Sequence, residues 1–192
     1  IAGRNPAKLE SLKTELGSPD LPVIQADSGD RDSLDAMVNS ARVVCTTVGP
    51  YASYGTELLA ACAQAGTHYC DLTGEVQWMA HTIDQYQKKA EASGARIVHT
   101  CGFDSIPSDL GTLYLQQCMQ QEFGEYADIV KARVGKFSGS ASGGTIASMM
   151  VMMEQASKDS SVRDIMADPY SLNPAGERIG ADGPDDNTAL FD

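Results

Sequence analysis

Asp71, Glu75 and Asp104 each follow an apolar run that reads as a β-strand. Carboxylates at strand ends can orient a substrate or shuttle protons. They can equally cap helices, and Glu75, directly ahead of a helical pattern, suits capping better. Tyr51 and Tyr54 come just after the run Val43-Val44-Cys45-Thr46-Thr47-Val48-Gly49-Pro50, where they either line a substrate pocket or pack over a helix start. By location alone, Tyr51 and Asp104 are the candidates for a catalytic acid or base. A cation stands at another strand tip, in Gly3-Arg4-Asn5. In a dinucleotide-binding sheet an acidic residue there binds a free ribose 2′-OH, whereas an arginine favours a 2′-phosphate. The tip lacks a carboxylate, so its charge favours NADP over NAD; the alternative is a solvated turn arginine.

Other chemistries find less footing. No Gly-x-Gly-x-x-Gly or Walker loop occurs, and Gly139, Gly143 and Gly144 have neither the spacing nor the place of a phosphate loop. Gly139–Gly143 is not a nucleophile elbow either, because its middle residue is Ala141. The five cysteines (45, 62, 70, 101, 118) form no Cys-x-x-Cys pair and lie in apolar runs, which reads as reduced, buried thiols of a cytoplasmic protein. His99-x-Cys101 offers two metal ligands without a second pair, so no metal is expected. His68, His81 and His99 read as structural. A net charge of −12 argues against nucleic acid as a partner. No run has the length of a membrane span, and no secretory leader is visible.

The elements that must position these residues alternate strand and helix. Strands are predicted at Ile1–Gly3, Leu21–Ala26, Val43–Val48, His68–Leu72 and Arg96–Thr100. Val43–Val48 is uncharged and β-favouring throughout, as a strand buried on both faces should be, and Gly49-Pro50 stops it. Between the strands run helices with apolar stripes at Leu9/Leu12/Leu16, Leu34/Met37/Val38, Leu58/Leu59/Cys62/Ala65 and Val76/Met79/Ile83/Tyr86/Ala90. Leu110, Leu113, Tyr114 and Cys118 mark one more. Asn5, Asp30 or Asp32, and Ser105 are the predicted N-caps. This rhythm is an α/β fold with a doubly wound, Rossmann-type parallel sheet, whose ligands bind at the carboxyl ends of the strands. Thr46–Tyr51 would meet the nicotinamide half of a dinucleotide, Gly49 letting a flat cofactor approach the backbone; a tight turn and nothing more is the alternative.

Near Gly124 the pattern changes. Val130, Ala132 and Val134 alternate with charged residues as in an antiparallel strand, and a Gly/Ser loop leads to a helix with Ile146, Met149, Met150 and Met153 on one side. Residues 1–123 therefore read as one domain and 124–192 as the beginning of a second, α+β one. Its acidic end from Asp159 is expected to be a flexible surface segment. Ile1-Ala2-Gly3 opens in mid-strand without an initiator methionine, so the sequence reads as a fragment or as one that begins after something has been lost.

Five motifs occur in order: Ala2-Gly3-Arg4-Asn5, Thr47-Val48-Gly49-Pro50-Tyr51, Tyr69-Cys70-Asp71-Leu72-Thr73-Gly74-Glu75, Gly102-Phe103-Asp104-Ser105-Ile106-Pro107-Ser108-Asp109 and Ser142-Gly143-Gly144-Thr145. Together they resemble the saccharopine dehydrogenase-like oxidoreductases, including the trans-acting enoyl reductase-like branch, over about residues 1–174. The resemblance implies an NAD(P)-binding Rossmann domain followed by a domain for substrate binding and dimerisation. It places Arg4 at the 2′-phosphate, Asp27 and Ser28 near the adenine, Thr47, Val48, Gly49, Pro50 and Tyr51 along the cofactor, and Gly102–Pro107 near the nicotinamide. With Gly3 and Asn5 these make the expected cofactor-binding set. The family's first strand and phosphate loop would precede Ile1, and without them the chain is expected to bind dinucleotide poorly.

The function implied is an NADP-preferring oxidoreductase acting on a small molecule as a homodimer. The rival is a non-catalytic dinucleotide- or lipid-binding scaffold, with peripheral lipid contact through the Met-rich helix. Either way, the tips after Gly3, Val48, Leu72 and Thr100 are expected to share one rim.

Overall fold

The computed structural model describes residues 1–133, 135–136, 138–174 and 176. Five strands lie in two wholly parallel sheets. β1 (Ala2–Gly3) pairs with β2 (Ile24–Gln25), and β3 (Val43–Thr46) pairs with β4 (His68–Asp71), which pairs with β5 (Ile97–Val98). The strands are shorter than predicted because the turns take over their ends: Leu72, Thr73 and Thr100 already belong to connections.

The helices start and stop largely where local chemistry directs. α1 (Pro6–Glu15) has Asn5 as N-cap, its side-chain oxygen accepting from the Lys8 N–H, and Pro6 inside the first turn. α2 (Arg31–Asn39) is capped by Asp30, which accepts from the Asp32 and Ser33 amides. The stretch after Gly49 divides into α3 (Tyr51–Tyr54) and α4 (Thr56–Ala65), with Gly55 at the joint. α5 (Val76–Ser93) and α6 (Ile106–Phe123) end, like α4, on a left-handed glycine: Gly66, Gly94 and Gly124 all have φ near +78°. Ser105 stands at the N-cap position of α6 but gives no side-chain hydrogen bond.

One core forms where α2, α4 and α5 cover the sheet β3–β4–β5. It contains Leu34, Met37, Val38, Leu58, Leu59, Cys62, Tyr69, Trp78 and Met79, with Ala26 from the end of β2. Side-chain bonds tie the layer together: Arg31 of α2 bridges Glu57 and Gln64 of α4, and Trp78 Nε1 of α5 donates to Thr56 Oγ1 of α4. On α5 the buried face is rotated from the predicted stripe. Trp78 and Thr82 are inside while Ile83 is exposed, because the indole fills the joint between α3 and α4.

Other expectations are corrected. The opposite face of the sheet leaves Val43, Cys45 and Val98 exposed, and neither α1 nor α6 buries a residue over it. The α/β, Rossmann-type parallel arrangement is as expected, but this face of the sheet is left largely uncovered among the described residues. Leu12 and Leu16 of α1 are exposed. Of the five free cysteines only Cys62 is buried; Cys45 is exposed and the others are half-buried. Residues 129–133 form no strand, since their alternation meets no partner strand to pair with; Val134 lies outside the described residues. α7 (Gly143–Lys158), capped by Ser142, and α8 (Ser160–Ala167) follow. Of the acidic segment expected to be flexible, 177–192 lie outside the described residues.

The joint at Gly55 has no room for a side chain. A Cβ there would lie 2.8 Å from Trp78 Cζ2 and 2.9 Å from the Tyr51 carbonyl oxygen. Gly55→Ala should therefore destabilise the fold by about 1–3 kcal/mol, through displacement of the indole. Urea unfolding of both proteins measures this, and an unchanged midpoint would mean that the joint is slack.

Candidate functional site

Four strand tips do share one rim. The ends of β1, β2 and β3 line a cavity of about 210 Å³, walled by Gly3, Arg4, Ala26, Ser28, Thr46, Thr47 and Val48 and floored by Leu34, Met37 and Leu58. β1 and β3 face one another across it without strand pairing. Arg4 is exposed, and its guanidinium takes part in no ion pair among the described residues. The remaining predicted cofactor residues shape the rim instead of walling the cavity. Asn5 caps α1, and Asp27 closes its own turn by accepting from the Gly29 amide, while its backbone N–H donates to Ser33 Oγ. Gly49 faces the Tyr51 ring, whose Cε2 would lie 3.4 Å from an added Cβ.

Two carboxylates out of water organise the next part of the rim. Glu75 is 1% exposed. Sequence position suggests that it caps α5, but its side chain makes no bond there. It reaches back to α3, accepting from the Tyr51 N–H (2.7 Å) and the Ala52 N–H (2.8 Å), and the Ser148 hydroxyl of α7 donates to it at 2.7 Å. It thus caps the helix that begins after the cis Gly49–Pro50 bond, satisfying two first-turn amides at once. Tyr51 lies 4% exposed beside Trp78, with ring centres 5.5 Å apart. Its hydroxyl donates to the Thr46 carbonyl (3.1 Å) and accepts from the Leu72 N–H (3.4 Å). Burial pushes this phenol up to about 12. Tyr51 therefore fastens β3 to the end of β4 and does not present a proton to the cavity.

Asp71 is the second carboxylate. Its side chain is wholly buried; Oδ1 accepts from the Thr73 N–H (3.1 Å) and the Thr100 N–H (3.0 Å), and His99 Nδ1 donates to Oδ2 at 2.7 Å. Its own carbonyl takes the Cys101 N–H at 2.6 Å. Burial alone would push this carboxyl up, but the bond and charge of His99, helped by the Thr73 and Thr100 amides, outweigh it and hold the group below its ordinary value. His99 is boxed in by the Trp78 ring (5.1 Å) and Thr82 Oγ1 (3.4 Å). Its partnership with Asp71 was not foreseen, yet the strand register carries it. Tyr69 lies opposite Ile97 and Cys70 opposite Val98, so the next pair is Asp71 with His99. Past β5, Gly102 packs so closely on Leu72 that a Cβ would approach its Cβ to 3.0 Å, while Asp104 is exposed. A larger groove of about 750 Å³ runs between α5, β5 and residues 171–174, and takes in none of the predicted cofactor residues. No three His, Cys, Asp or Glu side chains are grouped to hold a metal ion among the described residues.

Sequence comparison decides what such a rim belongs to. The family model of the saccharopine dehydrogenase NADP-binding domain matches residues 1–98. The chain belongs to that family. A putative trans-acting enoyl reductase of Mycobacterium tuberculosis is 46% identical over 177 residues, covering 91% of this chain and 42% of the relative. A trans-acting enoyl reductase of Mycobacterium ulcerans is 42% identical over 175 residues, with 90% and 42% covered. The chain thus spans about 42% of the length of these curated relatives. Among solved structures, apo histidine-tagged saccharopine dehydrogenase (L-Glu forming) from Saccharomyces cerevisiae overlaps 63% of this chain and 24% of its own, with a TM-score of 0.49 and 16% identity.

A nicotinamide dinucleotide is the ligand that this NADP-binding-domain family implies, and the residues present fit parts of it. Arg4 offers an unpaired cation, and Ser28 and Thr47 bring hydroxyls to the same cavity. At about 210 Å³ the cavity is below the roughly 300–1,000 Å³ that encloses a whole small ligand. No glycine-rich loop stands among its walls to cradle a pyrophosphate.

Two measurements check the carboxylates. Glu75→Gln keeps the shape but turns an amide donor toward backbone donors, and should destabilise the fold by about 2–3 kcal/mol in urea. For Asp71 the folded carboxyl is depressed, so its stabilisation is present above the unfolded value of about 4 and is lost as pH falls below it. Unfolding midpoints from pH 6 down to 2 should fall more steeply in the parent than in Asp71→Asn; parallel curves would refute the assignment.

Proposed function

We propose that the chain is the cofactor-holding part of an NADP-preferring oxidoreductase that reduces a small-molecule substrate. The observation that carries this reading is the unpaired Arg4 guanidinium at the tip of β1, in a cavity that also gathers Gly3, Ser28, Thr47 and Val48. When bound, a nicotinamide dinucleotide supplies a hydride. The chain's own residues do the rest. Arg4 offers charge to a 2′-phosphate, Ser28 stands on the adenosine side, and Thr46–Val48 present backbone at close range. Glu75 and Tyr51 fix the Gly49–Pro50 turn, and Gly102 gives the rim a flat edge. The names of the mycobacterial relatives extend the reading to reduction of an activated carbon–carbon double bond, in which the reduced carbon's neighbour must also gain a proton. Asp104, exposed beside Gly102, is our candidate for that role, since the Tyr51 hydroxyl is engaged with backbone. Residues 1–123 form the cofactor-binding part, and 124–192 belong to the part that meets substrate and a second copy of the chain. Five free thiols accord with a reducing, cytoplasmic setting.

A second reading, a dinucleotide- or lipid-binding scaffold without turnover, is favoured by one observation. Met149, Met150 and Met153 are exposed on α7, and such side chains suit a pliable apolar contact.

Fluorescence titration of the intact protein with NADPH and NADH tests the first reading. NADPH should bind more tightly than NADH, and Arg4→Ala should erase a preference of about tenfold to a hundredfold, the worth of one charged hydrogen bond. Failure to bind either nucleotide, or an unchanged ratio in Arg4→Ala, would overturn it.

A further inference from the structure

Thr100 has φ +56°, the sole non-glycine residue in the left-handed region among those described. A β-branched side chain is unwelcome there, and such a conformation persists only where the surroundings over-determine it. The Thr100 hydroxyl donates to the His99 carbonyl at 2.8 Å, and the remaining ties come from Asp71. Asp71 accepts the Thr100 N–H on its carboxylate and the Cys101 N–H on its carbonyl, so two consecutive amides after β5 are tied to the last residue of β4. One residue further, Gly102 lies against Leu72, where an added Cβ would come within 3.0 Å of the Leu72 Cβ. Residues 100–102 are thereby laid along 71–72 position by position. The fixing charge itself is held from behind, since His99 donates to the other carboxylate oxygen and is in turn clamped by Trp78 and Thr82.

We infer that Asp71 is the positioning residue of the cofactor rim, holding Thr100 in its left-handed conformation so that Gly102 presents a flat edge to the nicotinamide end. Asp71 touches neither cofactor nor substrate: its side chain is fully buried and its oxygens are occupied. The inference rests on the oxidoreductase reading for what the rim holds, but not for how the rim is held. It also explains an otherwise costly arrangement, because a strained residue needs a strong, directional partner and a buried carboxylate facing backbone amides is one.

The test uses Asp71→Asn, Asp71→Asn/Thr100→Gly and the parent, each in the intact protein. Two readouts are taken: NADPH affinity by fluorescence, and amide hydrogen exchange at Thr100 and Cys101. In Asp71→Asn the Thr100 amide, left with a neutral and weaker acceptor, should exchange at least tenfold faster and NADPH affinity should fall about tenfold, with the circular dichroism of the helices unchanged. The Cys101 amide, bonded to the residue 71 main-chain carbonyl, is the internal reference. Glycine adopts the left-handed conformation without help, so the double variant should recover most of the NADPH affinity. A role confined to stability would give no such rescue. NADPH binding within twofold of the parent, unaltered exchange in Asp71→Asn, or absence of rescue would overturn the inference. Should Asp71→Asn fail to fold, Thr100→Gly alone decides through exchange: amides that stay protected leave Asp71 as their anchor, whereas amides that lose protection show that the left-handed turn was not held by it. If the parent itself binds neither NADPH nor NADH, the oxidoreductase reading fails. The exchange rates then still support or overturn the anchoring by Asp71.

Discussion

A carboxylate removed from water needs a donor for each oxygen, and backbone amides at the ends of elements are the donors a fold has to spare. Asp71 and Glu75 apply this constraint four residues apart, in the connection from β4 to α5. Asp71 gathers donors from its own turn and from the end of β5; Glu75 gathers them from the start of α3 and from α7. Between them they set where the tips of β3, β4 and β5 stand. The hydroxyl of Tyr51 completes the arrangement by bonding backbone on β3 and after β4. None of these groups can be replaced by an apolar side chain of similar size without leaving backbone N–H groups unpaired.

The same economy explains how a chain of net charge −12 keeps a cation at the rim without an acidic partner. The two carboxylates nearest the rim's core are turned inward, and their oxygens are taken up by backbone amides, the Ser148 hydroxyl and His99. Arg4 stands at the rim with no acidic partner, and it alone among the cavity walls carries a full charge. The placement of individual charges, and not the overall charge, sets the local field at such a tip.

Much of the frame was legible in the sequence. The order of strands and helices and the caps by Asn5 and Asp30 follow from local patterns with short-range causes, whereas the nearness of Gly3, Arg4, Ser28, Thr47 and Val48 was implied by strand tips in a parallel sheet and by the family resemblance. Glu75 was legible in kind, as a cap, but its target was not: nothing local reveals that a side chain will prefer a helix starting 24 residues earlier to the one it introduces. The uncovered face of the sheet was invisible for a related reason. A run such as Val43–Val48 records that a strand suits burial, not which helices arrive to bury it. The left-handed Thr100 was unreadable because threonine gives no hint of φ +56°; it is imposed by Asp71 from the neighbouring strand.

The division into a pair of strands and a trio has a thermodynamic corollary. The β1–α1–β2 unit owns few buried side chains: Ala26 enters the common core, Ile24 packs beside it, and α1 contributes none. No strand pairing joins it to the trio, whereas the trio's middle strand packs directly against α4. Opening fluctuations should therefore be graded, with the arginine-bearing tip visiting detached conformations far more often than the β3–β4–β5 platform. A ligand that bridges the two would suppress that motion, and part of its binding free energy would be consumed in quieting the smaller sheet.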